Sequence, residues 1–121
     1  MLSEEMEERL DLLLSSEQIT SETYKIVKEQ LKTLIEMDQL DVNHETAGSF
    51  TNHLAIAVER INQGHPLDGV SEQTEELIEA NPQIYRFSQN MLKSCLWNYN
   101  AYPTRAEEGY ITLYLAMFNQ Q

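Results

Sequence analysis

The sequence has a single cysteine, Cys95, in 121 residues. No internal disulfide can form, and a reducing, cytoplasmic setting is the natural expectation. Cations are scarce: eight Lys and Arg stand against twenty Asp and Glu, a net charge of −12. That balance argues against direct nucleic-acid binding, which needs clustered cations to displace counterions. It equally disfavours an anionic membrane surface as partner. No apolar run approaches the ~18 residues that would suggest a membrane span. The start, Met1-Leu2-Ser3-Glu4-Glu5, lacks the basic opening of a signal peptide. Glycine and proline are few, at four and three, and most of them fall between the periodic stretches. Strand-like alternation is nearly absent, and there is no internal repeat or low-complexity segment. What remains is 41% hydrophobic and 23% charged, a balance that fits one globular domain with its own core.

Apolar residues recur at helical spacing along most of the chain, predicting five main helices behind a short N-terminal one. The N-terminal piece covers about residues 3–14, with Met6, Leu10, Leu13 and Leu14 as a stripe and an acidic, solvated remainder. The next runs over 21–37 on Tyr24, Val27, Leu31, Leu34 and Ile35. A third starts near 43 or 45 and ends near 63 on Phe50, Leu54, Ala57, Val58 and Ile61, with Gly64 as a left-handed stop and Pro66 just beyond. Ser71 caps a short helix carrying Leu77 and Ile78. Asn81-Pro82 reads as an N-cap and first-turn proline for a helix carrying Ile84, Phe87, Met91, Leu92, Cys95, Leu96 and Tyr99. Thr104 and Glu107 fit a reciprocal capping box opening the last helix, which is apolar on most sides and so central or partner-facing.

Catalytic machinery is not visible. His44, His53 and His65 are never three or four residues apart, so no helix face offers paired metal ligands, and neither metal nor cofactor is expected. There is no phosphate-binding glycine loop and no nucleophile elbow. The pairs Glu75-Glu76 and Glu107-Glu108 are adjacent, which on a helix points them about 100° apart rather than at one substrate. Cys95, between Leu92 and Leu96, reads as a buried structural thiol. The chain reads as a non-enzyme. His53 sits mid-helix with Arg60 two turns on, leaning back along the same face. Taken alone, it is a structural histidine bonded to a neighbour.

Two segments are more specific. Thr51-Asn52-His53-Leu54-Ala55-Ile56-Ala57-Val58-Glu59-Arg60 resembles the first histidine motif of the PTS regulation domain, with Asn52 where aspartate is usual. Glu107-Glu108-Gly109-Tyr110-Ile111-Thr112-Leu113-Tyr114-Leu115 resembles the family's closing motif, with Tyr114 at the second histidine position. The likeness runs from about residue 20 to 119. It implies an all-α, compact five-helix bundle over 20–121, with 1–19 as an acidic helical extension. It further implies a stand-alone regulatory module with no output domain, likened to modules that control sugar-utilisation transcription. In that family, histidines are phosphorylated by the phosphocarrier protein or an enzyme II component of the phosphotransferase system, and phosphorylation shifts dimer packing. Carried over, His53 is the phosphoacceptor, Asn52 and Arg60 support the phosphate, Tyr114 marks a degenerate second site, and the protein forms a homodimer. The departures leave a second outcome open: a degenerate module that binds partners without phosphorylation.

Overall fold

The computed structural model describes residues 1–119, and every regular element among them is helical. The helices are α1 (Glu4–Ser15), α2 (Ser21–Glu36), α3 (Ala47–Asn62), α4 (Glu72–Ala80), α5 (Pro82–Ser94) and α6 (Arg105–Phe118). Their number and order match five main helices behind a short first one. No described helix is long and apolar enough to cross a membrane.

Hydroxyl side chains start four of the six. Ser3, Thr20, Ser71 and Thr104 each accept the N–H three residues on, opening α1, α2, α4 and α6. Helix α3 begins later than the spacing suggested. The Asp41 carboxylate accepts the Asn43 N–H and His44 Nδ1 accepts the Thr46 N–H, so local side-chain bonds hold this stretch in turns. Asn81 also departs from its expected role. Its side-chain amide donates to the Leu77 carbonyl, closing α4, and makes no capping bond to α5, although Pro82 does open that helix.

The first three helices stop alike. Glu17, Asp38 and Gly64 take the left-handed conformation, with φ of 63°, 59° and 83°. Beyond each, the next N–H reaches back: Gln18 to Leu13, Gln39 to Leu34 and His65 to Arg60, at 2.8–2.9 Å. Only the glycine stop was expected. Helix α5 is shorter than predicted, ending at Ser94 with Cys95 as its cap. The cause is Asn62. Its amide donates to the Cys95 carbonyl, and its oxygen accepts the N–H groups of Trp97 and Asn98, drawing that backbone out of the helix. Tyr99 is therefore 94% exposed instead of lying on the buried stripe.

The main pairings divide by chain order. Helices α1, α2 and α3 pack on one another, α4, α5 and α6 pack on one another, and α3 against α6 joins the halves. Met6, Leu10, Leu31, Leu54, Ile111 and Leu115 are fully buried, and each contributes about 1.5–3 kcal/mol of apolar transfer. Helix α1 sinks Met6 and Leu10 into this same core while most of its acids face solvent, as its pattern suggested. Helix α6 is central, as its apolar breadth suggested, touching α3, α4 and α5. Gly109 lets it approach α4: a Cβ there would come within 2.6 Å of the Thr74 methyl.

Candidate functional site

The seam between α3 and α6 gathers polar groups inside an apolar core. His53 and Arg60, seven residues apart, lie on one face of α3. Glu107, Tyr110 and Tyr114, at steps of three and four, share one face of α6. The two faces meet. The Tyr110 hydroxyl lies 3.0 Å from Nδ1 and 3.3 Å from Nε2 of His53. The His53 ring centroid is 5.1 Å from that of Tyr110 and 5.5 Å from that of Tyr114. Tyr114 packs on Phe50 and shares a 3.3 Å hydrogen bond with Ser49. The two motif positions, far apart in sequence, are therefore neighbours.

His53 is half-buried. Burial first, then the charges of Arg60 and Arg9, hold its ring below the ordinary histidine range. The imidazole is accordingly neutral near pH 7, with one nitrogen lone pair that can accept a hydrogen bond or act as nucleophile and one N–H, the Tyr110 hydroxyl lying within reach of either nitrogen. Tyr110 is pushed the other way, chiefly by burial and by the neighbouring Tyr114, so its hydroxyl keeps its proton.

Arg60 is engaged. Its Nε donates to Oε2 of Glu107 and its Nη2 to Oε1, both at 2.9 Å. The Leu67 N–H donates to the same carboxylate, also at 2.9 Å. This corrects the capping box. Thr104 does accept the Glu107 N–H, but the Glu107 side chain turns inward to Arg60 and Leu67 instead of back to Thr104. A bidentate, charge-assisted fork outweighs one bond to a backbone amide. The Thr104 hydroxyl in turn donates to the Leu67 carbonyl at 2.6 Å, pinning the α3–α4 loop to the start of α6.

Two cavities border this part of α3. One, of about 710 Å³, is bordered by His53, Arg60, Tyr110, Leu67, Leu77 and Leu113. The other, of about 550 Å³, lies on the α1 side and is bordered by Asn52, Glu5, Arg9 and Leu12. Asn52 and His53 thus open onto different spaces, and among the described residues no hydrogen bond joins them. Of the residues singled out from sequence, His53, Arg60 and Tyr114 come together and Asn52 stands apart. The sequence reading missed two members. Tyr110 stood only within the closing motif, with no role of its own. Arg9, the one base among the first nineteen residues, went unremarked, although a lone cation in an acidic helix was the available signal.

The remaining histidines and the cysteine lie elsewhere. His44 Nδ1 bonds Thr46, and its ring packs edge-on to Phe118. His65 is exposed. Cys95 is fully buried, and burial pushes its thiol up to about 12, which leaves it inert at neutral pH. Against known proteins, a family model described as PRD domain matches residues 28–117, from within α2 to near the end of α6. No curated protein and no solved structure matches.

Proposed function

This chain belongs to the PRD domain family, the PTS regulation domains, and from that membership we propose that His53 accepts a phosphoryl group from the phosphotransferase system. The donor is the phosphocarrier protein or an enzyme II component, and the module is cytoplasmic and controls sugar-utilisation transcription through another protein. Residues 20–121 act as the regulatory domain, with 1–19 as an extension packed upon it. The observation that carries the reading is a neutral imidazole at the α3–α6 seam bordering an open cavity.

The chemistry asks little of the protein. A ring nitrogen of His53 attacks the phosphorus of the donor's phosphohistidine. The new N–P bond forms as the donor's breaks, and the donor nitrogen keeps the electron pair. His53 gives up one proton and the donor imidazole gains one, so phosphoryl exchanges for proton. Neutrality of His53 supplies the lone pair. The product adds about 1.5–2 negative charges beside two tyrosines at a packed seam. Such charge either finds a cation or drives the faces apart. Arg60 and Asn52 border the neighbouring spaces and are its first supports in this reading. Arg60 keeps Nη1 outside its pair with Glu107. The acidic chain, at −12, favours loosening of a homodimer over tightening on phosphorylation.

A second reading has its own observation. Tyr114 fills the second histidine position, where a phosphoryl group would form a stable ester rather than a transferable N–P bond, and its side chain is tied to Ser49 and Phe50. Under this reading the chain is a structural or dimeric protein-binding module that has lost phosphorylation. Intact mass after incubation with phosphoenolpyruvate, enzyme I and the phosphocarrier protein separates the two. One added, acid-labile phosphoryl group, lost in His53→Ala, is expected. Label that survives the substitution would overturn the site. No label from the phosphocarrier or from enzyme II donors would favour the second reading. Sedimentation across micromolar concentrations tests the dimer, and a monomer throughout would remove it from both readings.

A further inference from the structure

Among the described residues, one side chain comes within hydrogen-bonding distance of the His53 ring, and it is Tyr110. Its hydroxyl is 3.0 Å from Nδ1 and 3.3 Å from Nε2. An oxygen that close to both nitrogens cannot lie in the ring plane, because Cε1 sits between them and would collide with it. The hydroxyl therefore stands over the ring face, with the two rings crossed at 69°. The lone pair of a neutral imidazole points outward in the ring plane. Tyr110 thus steadies His53 without covering the electrons that would attack phosphorus.

Both side chains border the same cavity of about 710 Å³. A phosphoryl group joined to either nitrogen starts in the ring plane and spreads its oxygens above and below it. One oxygen then rises beside the Tyr110 hydroxyl. The neighbouring groups are already engaged: Arg60 has two nitrogens on Glu107, and the Tyr114 hydroxyl shares its bond with Ser49. A charge-assisted hydrogen bond is roughly twice as strong as a neutral one, so the hydroxyl gains by leaving a neutral ring for an anionic oxygen. It makes that bond only once phosphorus has reached the ring. The bond therefore favours the transferring and transferred group over the resting imidazole.

Resting on the phosphoacceptor reading of His53, we propose that the Tyr110 hydroxyl is the hydrogen-bond donor to the phosphoryl group on His53. The tyrosine holds the ring before transfer and turns its proton to a phosphoryl oxygen after it. It stays a phenol throughout, since burial and Tyr114 keep that proton on. Helix α6 thus supplies the donor for a phosphate carried by α3.

The test uses the full chain and potassium phosphoramidate, a chemical donor that needs no partner protein. A ring nitrogen attacks phosphorus as the bond to nitrogen of the donor breaks, and the proton lost from the imidazole leaves on the ammonia. Labelling rate and the phosphoryl pKa, read by phosphorus NMR, are compared in wild type, Tyr110→Phe and Tyr85→Phe. Tyr85 donates to Glu108 at 2.7 Å, so its loss controls for removal of a half-buried tyrosine hydroxyl. Arg60, Glu107 and Tyr114 face His53 unchanged in all three chains. Tyr110→Phe is expected to label about tenfold more slowly, the effect of one bond to a charged group. A donor favours the dianion, so the same variant is expected to raise the phosphoryl pKa by about half a unit. Tyr85→Phe is expected to match wild type in both. In the wild type, the Tyr110 Cζ signal is expected to move on labelling. Equal rates and coincident titrations in wild type and Tyr110→Phe, or an unmoved Tyr110 signal, would overturn the proposal even where His53 is labelled. Failure of phosphoramidate to label His53 would overturn it together with the phosphoacceptor reading. Failure with the protein donors alone would remove that reading and leave the tyrosine contact standing.

Discussion

Removing the cation of the α3–α6 pair is expected to cost more than removing its anion. Arg60→Met leaves the Glu107 carboxylate with no exposed surface and, of its three donors, only the Leu67 N–H. Stranding a buried charge in this way costs about 3–5 kcal/mol. Glu107→Gln leaves instead an arginine whose side chain is 29% exposed, which water reaches, facing an amide that still accepts one bond. That loss is about 2 kcal/mol. The double variant Arg60→Met/Glu107→Gln is expected to lose less than the two singles together, by about 2 kcal/mol, because neither partner then strands the other. Urea unfolding followed at Trp97, the one tryptophan, supplies the assay. With an unfolding slope of about 1–3 kcal/mol per molar urea, Arg60→Met moves the midpoint down by about 2 M. A loss under about 1 kcal/mol in Arg60→Met, or equal losses in the two singles, would refute the asymmetry argued from burial.

Glu17→Gly relieves a left-handed residue at the end of α1, and is expected to stabilise by about 0.5 kcal/mol once glycine's extra freedom in the unfolded chain is set against it. Asp38→Gly gains less, because aspartate tolerates that conformation better, and thermal melts that fall in both would count against the strain. His53 has a folded value below its ordinary 6.5, so the unfolded chain takes the proton first as pH falls. Its contribution is therefore intact above about 6.5 and is lost as pH drops from there toward the folded value. His53→Gln should flatten the urea midpoint between pH 7.5 and 5.5, and an unchanged slope would sink the assignment. Cys95, with its thiol raised to about 12, should resist a thiol reagent in the native state and react fully in urea, whereas fast native labelling would contradict its burial.

Periodic and local features were readable from sequence, and contacts between distant side chains were not. The core stripes, the hydroxyl caps at Ser71 and Thr104 and the stop at Gly64 depend on residues within one or two turns, so their pattern is in the letters. Glu17 and Asp38 adopt the same stop without glycine, because the reach-back bonds of Gln18 and Gln39 close the helix whatever residue sits between. Helix α5 ends early because of Asn62, more than thirty residues away, and nothing in the stretch itself announces it. At the site, His53, Arg60 and Tyr114 were legible through motif resemblance. The partner of Glu107 was not, since one acidic residue fits both a capping box and a buried pair. Only the position of Arg60, 47 residues earlier, decides between them.

The division of the helix pairings by chain order has a consequence for how the protein is made. At about 5–20 residues per second, the 56 residues from Asn62 to Phe118 take about 3–11 s to be translated. Throughout that interval α1, α2 and α3 exist without α6. The Phe50 ring lacks Tyr114 and Phe118, and Arg60 lacks its carboxylate. The early segment is also where the negative charge is concentrated. Its 62 residues carry 13 Asp and Glu against 5 Lys and Arg, or −8 of the chain's −12. At contact range that excess of like charge disfavours the association of two such half-built segments before the last helix covers the core.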